Sequence, residues 1–110
     1  MAPHPDEGIS RMKNITPTEF AALDGAVLID VREPNEVAEV SVPGAIVLPM
    51  SGIQERLHEL PEGTIYIMCH SGGRSARVAK FLEEQGHDAV NVEGGITRWQ
   101  AEGLPVQRGQ

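Results

Sequence analysis

Five short apolar runs, separated by segments of helical spacing, leave this chain few architectures to adopt. The runs cover residues 12–15, 26–30, 45–48, 64–69 and 89–92. Three of them, AVLID, AIVL and TIYIMC, are apolar almost without interruption. That is the pattern of strands covered on both faces, and not of strands with one wet side. Between them, Thr16, Pro17 and Glu19 form a capping box with proline at the first helical position, which predicts a helix over 17–23 closed by Gly25. Ser51 is a candidate N-cap for a helix carrying Ile53, Leu57 and Leu60. Val78, Phe81 and Leu82 stripe a helix over 75–85 that Gly86 ends, and a last helix near 97–101 carries Trp99 and stops at Gly103. Alternating strands and helices predict a three-layer α/β domain with a mostly parallel sheet.

At 110 residues the chain holds one domain, placed at 9–106 between a flexible tail over 1–8 and a short C-terminal tail over 107–110. Residues 1–8 carry two prolines and two acids, with no apolar core and no basic start, so a secretory signal is excluded and the cytoplasm is expected. No apolar stretch is long enough to span a membrane. A net charge of −7 argues against nucleic acid as the main partner. A single cysteine rules out an internal disulfide or a multi-cysteine zinc site. His4, His58 and His87 have no partner at metal-ligand spacing and are expected at the surface.

In parallel α/β sheets ligands sit beyond the carboxyl ends of the strands. Asp30 ends the second apolar run and Cys69 ends the fourth. After Cys69 come His70, Ser71, Gly72, Gly73, Arg74 and Ser75, leading into a helix. Two glycines let the backbone curl until several N–H groups face one centre, an anion nest at a helix N-terminus. Cys69 sits on its rim, where amides, helix dipole and Arg74 favour the nucleophilic thiolate. Residues 63–82 hold no acid but three bases, Arg74, Arg77 and Lys80, so an acidic protein keeps one positive window there. An inert core cysteine, a plain Gly-Gly turn and solvated arginines explain each feature singly. They explain poorly why all of them fall within seven residues.

These residues, with four other pieces, resemble the single-domain rhodanese (thiosulfate sulfurtransferase) family. The further pieces are Asp30-Val31-Arg32-Glu33-Pro34 with Glu36; Pro43-Gly44-Ala45; Glu93-Gly94-Gly95 with Trp99; and Gly103-Leu104-Pro105-Val106. The resemblance implies a parallel five-stranded sheet with helices on both faces. It implies that Cys69 carries sulfur as a persulfide, that residues 70–75 form a substrate-binding cup, and that Arg74 closes it. Asp30 and Arg32 match the family's supporting Asp-x-Arg, although Asp30 could equally cap the turn at Glu33-Pro34 with Arg32 its surface partner. His70 could touch substrate or serve through its backbone alone. Where the family shows Gly-His-Ile, this chain has Val40-Ser41-Val42, so the turn there is expected to be reshaped.

The implied activity moves sulfane sulfur from thiosulfate or a similar small anion to a thiophilic acceptor. The alternative is a carrier module that delivers sulfur to a partner protein. Neither a metal nor an organic cofactor is required, and a monomer is expected. Four residues separate Cys69 from Arg74, one fewer than in the related phosphatases, and the tighter ring suits one outer sulfur better than a tetrahedral phosphate.

Overall fold

Successive residues of a strand face opposite sides of its sheet, so an uninterrupted apolar run needs cover on both. The computed structural model describes residues 13–109. Along the chain come β1 (Lys13–Ile15), α1 (Pro17–Ala21), β2 (Val27–Asp30), α2 (Pro34–Glu39), β3 (Val40–Ser41) and β4 (Ile46–Val47). A 3-10 helix (Met50–Glu59) follows, then β5 (Thr64–Met68), α3 (Gly73–Glu84), β6 (Asp88–Val92), α4 (Gly95–Ala101) and β7 (Gln107–Arg108). Five strands form one sheet in the order β1-β6-β5-β2-β4, and every pairing is parallel. The α/β reading with a five-stranded sheet is therefore correct.

The two faces read directly from the alternation. Ile65, Ile67 and Cys69, with Ile29 from β2, join Val78, Ala79 and Leu82 of α3 and Ile53 of the 3-10 helix in one apolar cluster. Met68 and Leu28 point the other way, with Tyr66 beside them, and meet Ile96 and Trp99 of α4 and Phe20 of α1. Trp99 is a core residue, as its spacing suggests, and its indole N–H donates to the Pro105 carbonyl at 2.9 Å. Both clusters end at the carboxyl edge of the sheet, where Asp30 and Cys69 emerge.

Four expectations need correction. α1 has the predicted capping box, with Thr16 and Glu19 bonding each other's backbone N–H, but it stops at Ala21, and Gly25 lies in the bend that follows. The segment expected to start at Ser51 is a 3-10 helix capped by Pro49 and kinked at Arg56. Ser51 lies inside it and donates its hydroxyl to Glu33 instead. Residues 107 and 108, assigned to a tail, form β7 and pair antiparallel with β3. Val40 is extended there (φ −153°), so the first two residues of the departure at Val40-Ser41-Val42 form a strand. His87 is half-buried where a surface position was expected, while His58 is exposed. The segment 1–8, with His4, lies outside the described residues.

Helix α2 was not anticipated. It has Pro34 at its first position and Glu36 bonding back to the Glu33 N–H at 2.9 Å, yet it buries none of its six residues. Hydrophobic periodicity cannot report a helix with no buried face.

Candidate active site

Cys69 leaves β5 on the face that α3 covers, and it is 1% exposed. Gly72 then turns the chain at φ +108°, which brings its N–H back onto the sulfur at 3.0 Å. The left-handed conformation favours glycine, and a Cβ would also press on the Gly94 nitrogen at 3.1 Å. α3 starts immediately afterwards, and Ser75 in its first turn lies with its hydroxyl 3.3 Å from the sulfur. Burial pushes the Cys69 thiol up. The Ser75 hydroxyl and the N–H groups of Ser75, Gly72 and Ser71 outweigh it, so the thiol ends below its ordinary value.

A second loop holds this one in place. At the start of α4, the Ile96 N–H donates to the Cys69 carbonyl at 2.9 Å and the Thr97 N–H donates to that of His70 at 3.0 Å. Gly95 backs onto the same two carbonyls, and a Cβ there would stand 2.3 Å from the Cys69 oxygen. The Glu93-Gly94-Gly95 turn therefore clamps the Cys69 loop. His70, Ser71 and Gly73 stay exposed on the outer side, with His70 Nε2 3.4 Å from the Thr97 hydroxyl.

The charged residues are arranged differently. Asp30 and Arg32 are 0% and 1% exposed, and they meet in a fork: Arg32 Nε donates to Oδ1 at 3.0 Å and Nη2 to Oδ2 at 2.8 Å. Arg32 also donates to the carbonyls of Val40 at 2.7 Å and Glu36 at 3.4 Å, which closes the C-terminal end of α2. Arg32 is thus a buried strut rather than the surface partner that its sequence allowed. α2 in turn presents Glu36, whose two oxygens accept from Arg74 Nη1 and Nη2, both at 2.8 Å. Hydrogen bonding to Arg74 holds the Glu36 carboxyl down at about 2, against burial, with the Glu33 N–H adding to the effect.

The expected site residues are therefore brought together, with their parts redistributed. Arg74 pairs with Glu36, so one of the three bases of the positive window seen in the sequence is neutralised from another element. Ser75, expected among the substrate-binding residues, is fully buried and also donates to Asn91 Oδ1 at 2.6 Å. Asn91, 5% exposed on β6, donates onward to Asn14 Oδ1 at 3.0 Å. Sequence reasoning missed Glu36 and Asn91 as parts of the site. Glu36 could have been found from its capping-box position, and Asn91 from being the one polar residue in the apolar run 89–92.

Among the described residues no group of three or more His, Cys, Asp or Glu could hold a metal, and no helix is long and apolar enough to cross a membrane. A cavity of about 350 Å³ between Phe20, Leu28, Val42, Ala45, Trp99 and Pro105 is lined by no titratable group and lies toward the amino ends of β2 and β4.

The sequence profile of the rhodanese-like domain family matches residues 16–102. YtwF of Bacillus subtilis, provisionally named a sulfurtransferase, is 47% identical over 79 residues, which are 71% of this chain and 77% of that one. The thiosulfate sulfurtransferase GlpE of Actinobacillus pleuropneumoniae is 35% identical over 91 residues, 81% of this chain and 84% of its own. Among solved structures, a rhodanese-like domain protein from Staphylococcus aureus superposes with a TM-score of 0.79 at 39% identity, covering 87% of this chain and 99% of that one.

Proposed function

Because the chain belongs to the rhodanese-like domain family, we propose that it is a sulfurtransferase which carries sulfane sulfur on Cys69 and takes it from a small anion such as thiosulfate. The observation that carries this reading is the set of neutral donors turned onto one buried sulfur: the Gly72 N–H at 3.0 Å, the Ser75 hydroxyl at 3.3 Å, and the amides of Ser71 and Ser75. A thiol held below its ordinary value carries a larger thiolate fraction than a free cysteine at the same pH, and the thiolate is the nucleophile.

The thiolate attacks the outer sulfur of thiosulfate. A bond forms from Cys69 Sγ to that sulfur, the sulfur–sulfur bond of the donor breaks, and sulfite leaves with the electron pair. The persulfide then carries its single negative charge on the outer sulfur, within reach of the same amides, each charge-assisted bond contributing about 1.5–3 kcal/mol. A thiophilic acceptor, cyanide or a thiol, attacks the outer sulfur and returns Cys69 to thiolate. Arg74 stands at the rim to attract the anionic donor, and Asp30 and Arg32 act at a distance by holding α2 and hence Glu36.

The test is intact-protein mass spectrometry after thiosulfate, with and without cyanide. The expected result is a gain of one sulfur atom that cyanide removes and that Cys69→Ser abolishes. No gain, or a gain that survives in Cys69→Ser, would sink the proposal.

A further inference from the structure

Ser75 sits between three acceptors and has one hydroxyl proton to give. Its oxygen lies 2.6 Å from Asn91 Oδ1, 3.3 Å from the sulfur of Cys69 and 3.3 Å from the Gly72 carbonyl. The shortest contact decides where the proton rests when the sulfur is uncharged. Asn91 presents its oxygen, and not its amide nitrogen, to Ser75 because that nitrogen is engaged by Asn14 Oδ1 on the edge strand β1. The result is a polar file from the buried Cys69 through Ser75 and Asn91 to Asn14, which is exposed on the edge strand β1.

We propose that Asn91 is a positioning residue for Cys69, acting through Ser75 by competing with the sulfur for one hydroxyl proton. With a thiol at Cys69, the hydroxyl points to Asn91, and its lone pairs are free to accept from the S–H. With a thiolate, the charge outbids a neutral amide and the hydroxyl turns to the sulfur. Once the persulfide forms, the charge moves to the outer sulfur, and the hydroxyl turns back. No proton leaves oxygen at any stage; only the rotor turns. Asn91 thereby makes bare thiolate less comfortable relative to persulfide, which favours loading over an idle charged sulfur.

This inference rests on Cys69 being the sulfur carrier, but its test does not. The test follows the rate of Cys69 alkylation by iodoacetamide, an uncharged reagent, across pH, and so reads thiolate formation without any sulfur transfer. Asn91→Ala removes the competing acceptor, so the apparent thiol pKa should fall by about one pH unit, the equivalent of one ordinary hydrogen bond. Asn91→Asp supplies a charged acceptor and should raise it. In a Ser75→Ala background, Asn91→Ala should shift nothing. The titratable and charged groups around Cys69 stay in place throughout: Arg74, which interacts with Cys69, Glu36 and Glu33 beside Arg74, the Asp30–Arg32 pair at the end of β2, and His70, next in the chain, whose ring lies on the outer side near Thr97.

Equal shifts from Asn91→Ala with and without the Ser75 hydroxyl would overturn the inference, as would no shift in a folded Asn91→Ala. Should the aspartate variant fail to fold, the two alanine backgrounds still decide. A protein that shows the coupled shift but gains no sulfur from thiosulfate keeps this file and loses the sulfurtransferase proposal.

Discussion

On one side of Cys69 the sulfur meets neutral donors, three backbone amides and a hydroxyl; on the other side, across α2, four charged side chains meet one another. Asp30 pairs with Arg32, Glu36 pairs with Arg74, and the charges cancel within each pair. The contrast separates two tasks. Neutral dipoles fixed by the backbone can stabilise a charge that appears and disappears without bringing a permanent charge of their own. Paired charges contribute little net field, but their forked geometry fixes where α2 and the rim of the cup sit. The dipole side suits the proposed sulfur chemistry, and the charged side sets shape.

The sharpest way to break this division is to remove the buried arginine. Arg32→Ala leaves the Asp30 carboxylate uncompensated at 0% exposure and orphans the carbonyls of Val40 and Glu36. Losing one partner of such a pair costs about 3–5 kcal/mol of stability. Urea unfolding should show that loss, while alkylation of Cys69 in the molecules still folded keeps its rate, because every donor to the sulfur lies elsewhere. A stability change under about 1 kcal/mol would mean that the charged side is not a strut.

A smaller effect is expected at the rim, where the two sides meet. Arg74→Ala should lower kcat/KM for thiosulfate by an amount equivalent to about 1.5–3 kcal/mol, since it removes a cation and leaves Glu36 bare toward a dianion. Glu36→Gln should not lower it, because the amide still accepts from Arg74 while the guanidinium regains its net charge. Steady-state kinetics on both variants decides the matter. If Glu36→Gln harmed turnover as much as Arg74→Ala, the pair would be acting as one catalytic unit, and the division would fail at this point.

What was legible in the sequence follows the same line. The strands, and their cover on both faces, could be read because the apolar runs in β2 and β5 are almost uninterrupted. The Cys69 loop could be read because its chemistry lies within seven consecutive residues. The charged side was harder, since its partners are joined only in space: Arg74 and Glu36 are separated by 38 positions, and a count of local charge around Arg74 misses the acid that arrives from α2. The spacing of Ile53, Leu57 and Leu60 predicts a helix but not its type, because over so short a stretch it suits either the α or the 3-10 period. β3 and β7 are two residues each, and strands that short carry no period at all.

The mildest prediction concerns acid. Glu36 is held at about 2 from an ordinary 4.5, chiefly by its hydrogen bonds from Arg74. Its folded value lies below its unfolded one, so between those values the unfolded chain binds more protons and stability rises with pH. The Glu36–Arg74 contribution is therefore fully present above about pH 4.5 and is lost as pH falls toward 2. Both side chains are 28% exposed, so solvent screening trims the contribution to about 1–2 kcal/mol. Urea unfolding of wild type and Glu36→Gln at pH 6 and again at pH 3 should show a gap that narrows on acidification, and added salt should narrow it further at pH 6. Asp88, lowered by Lys13 and Thr64, also loses stability in acid, but it does so equally in both proteins and cancels from the difference. A gap that stayed constant from pH 6 to pH 3 would show that Glu36 holds α2 by shape alone and that its charge adds nothing to the fold.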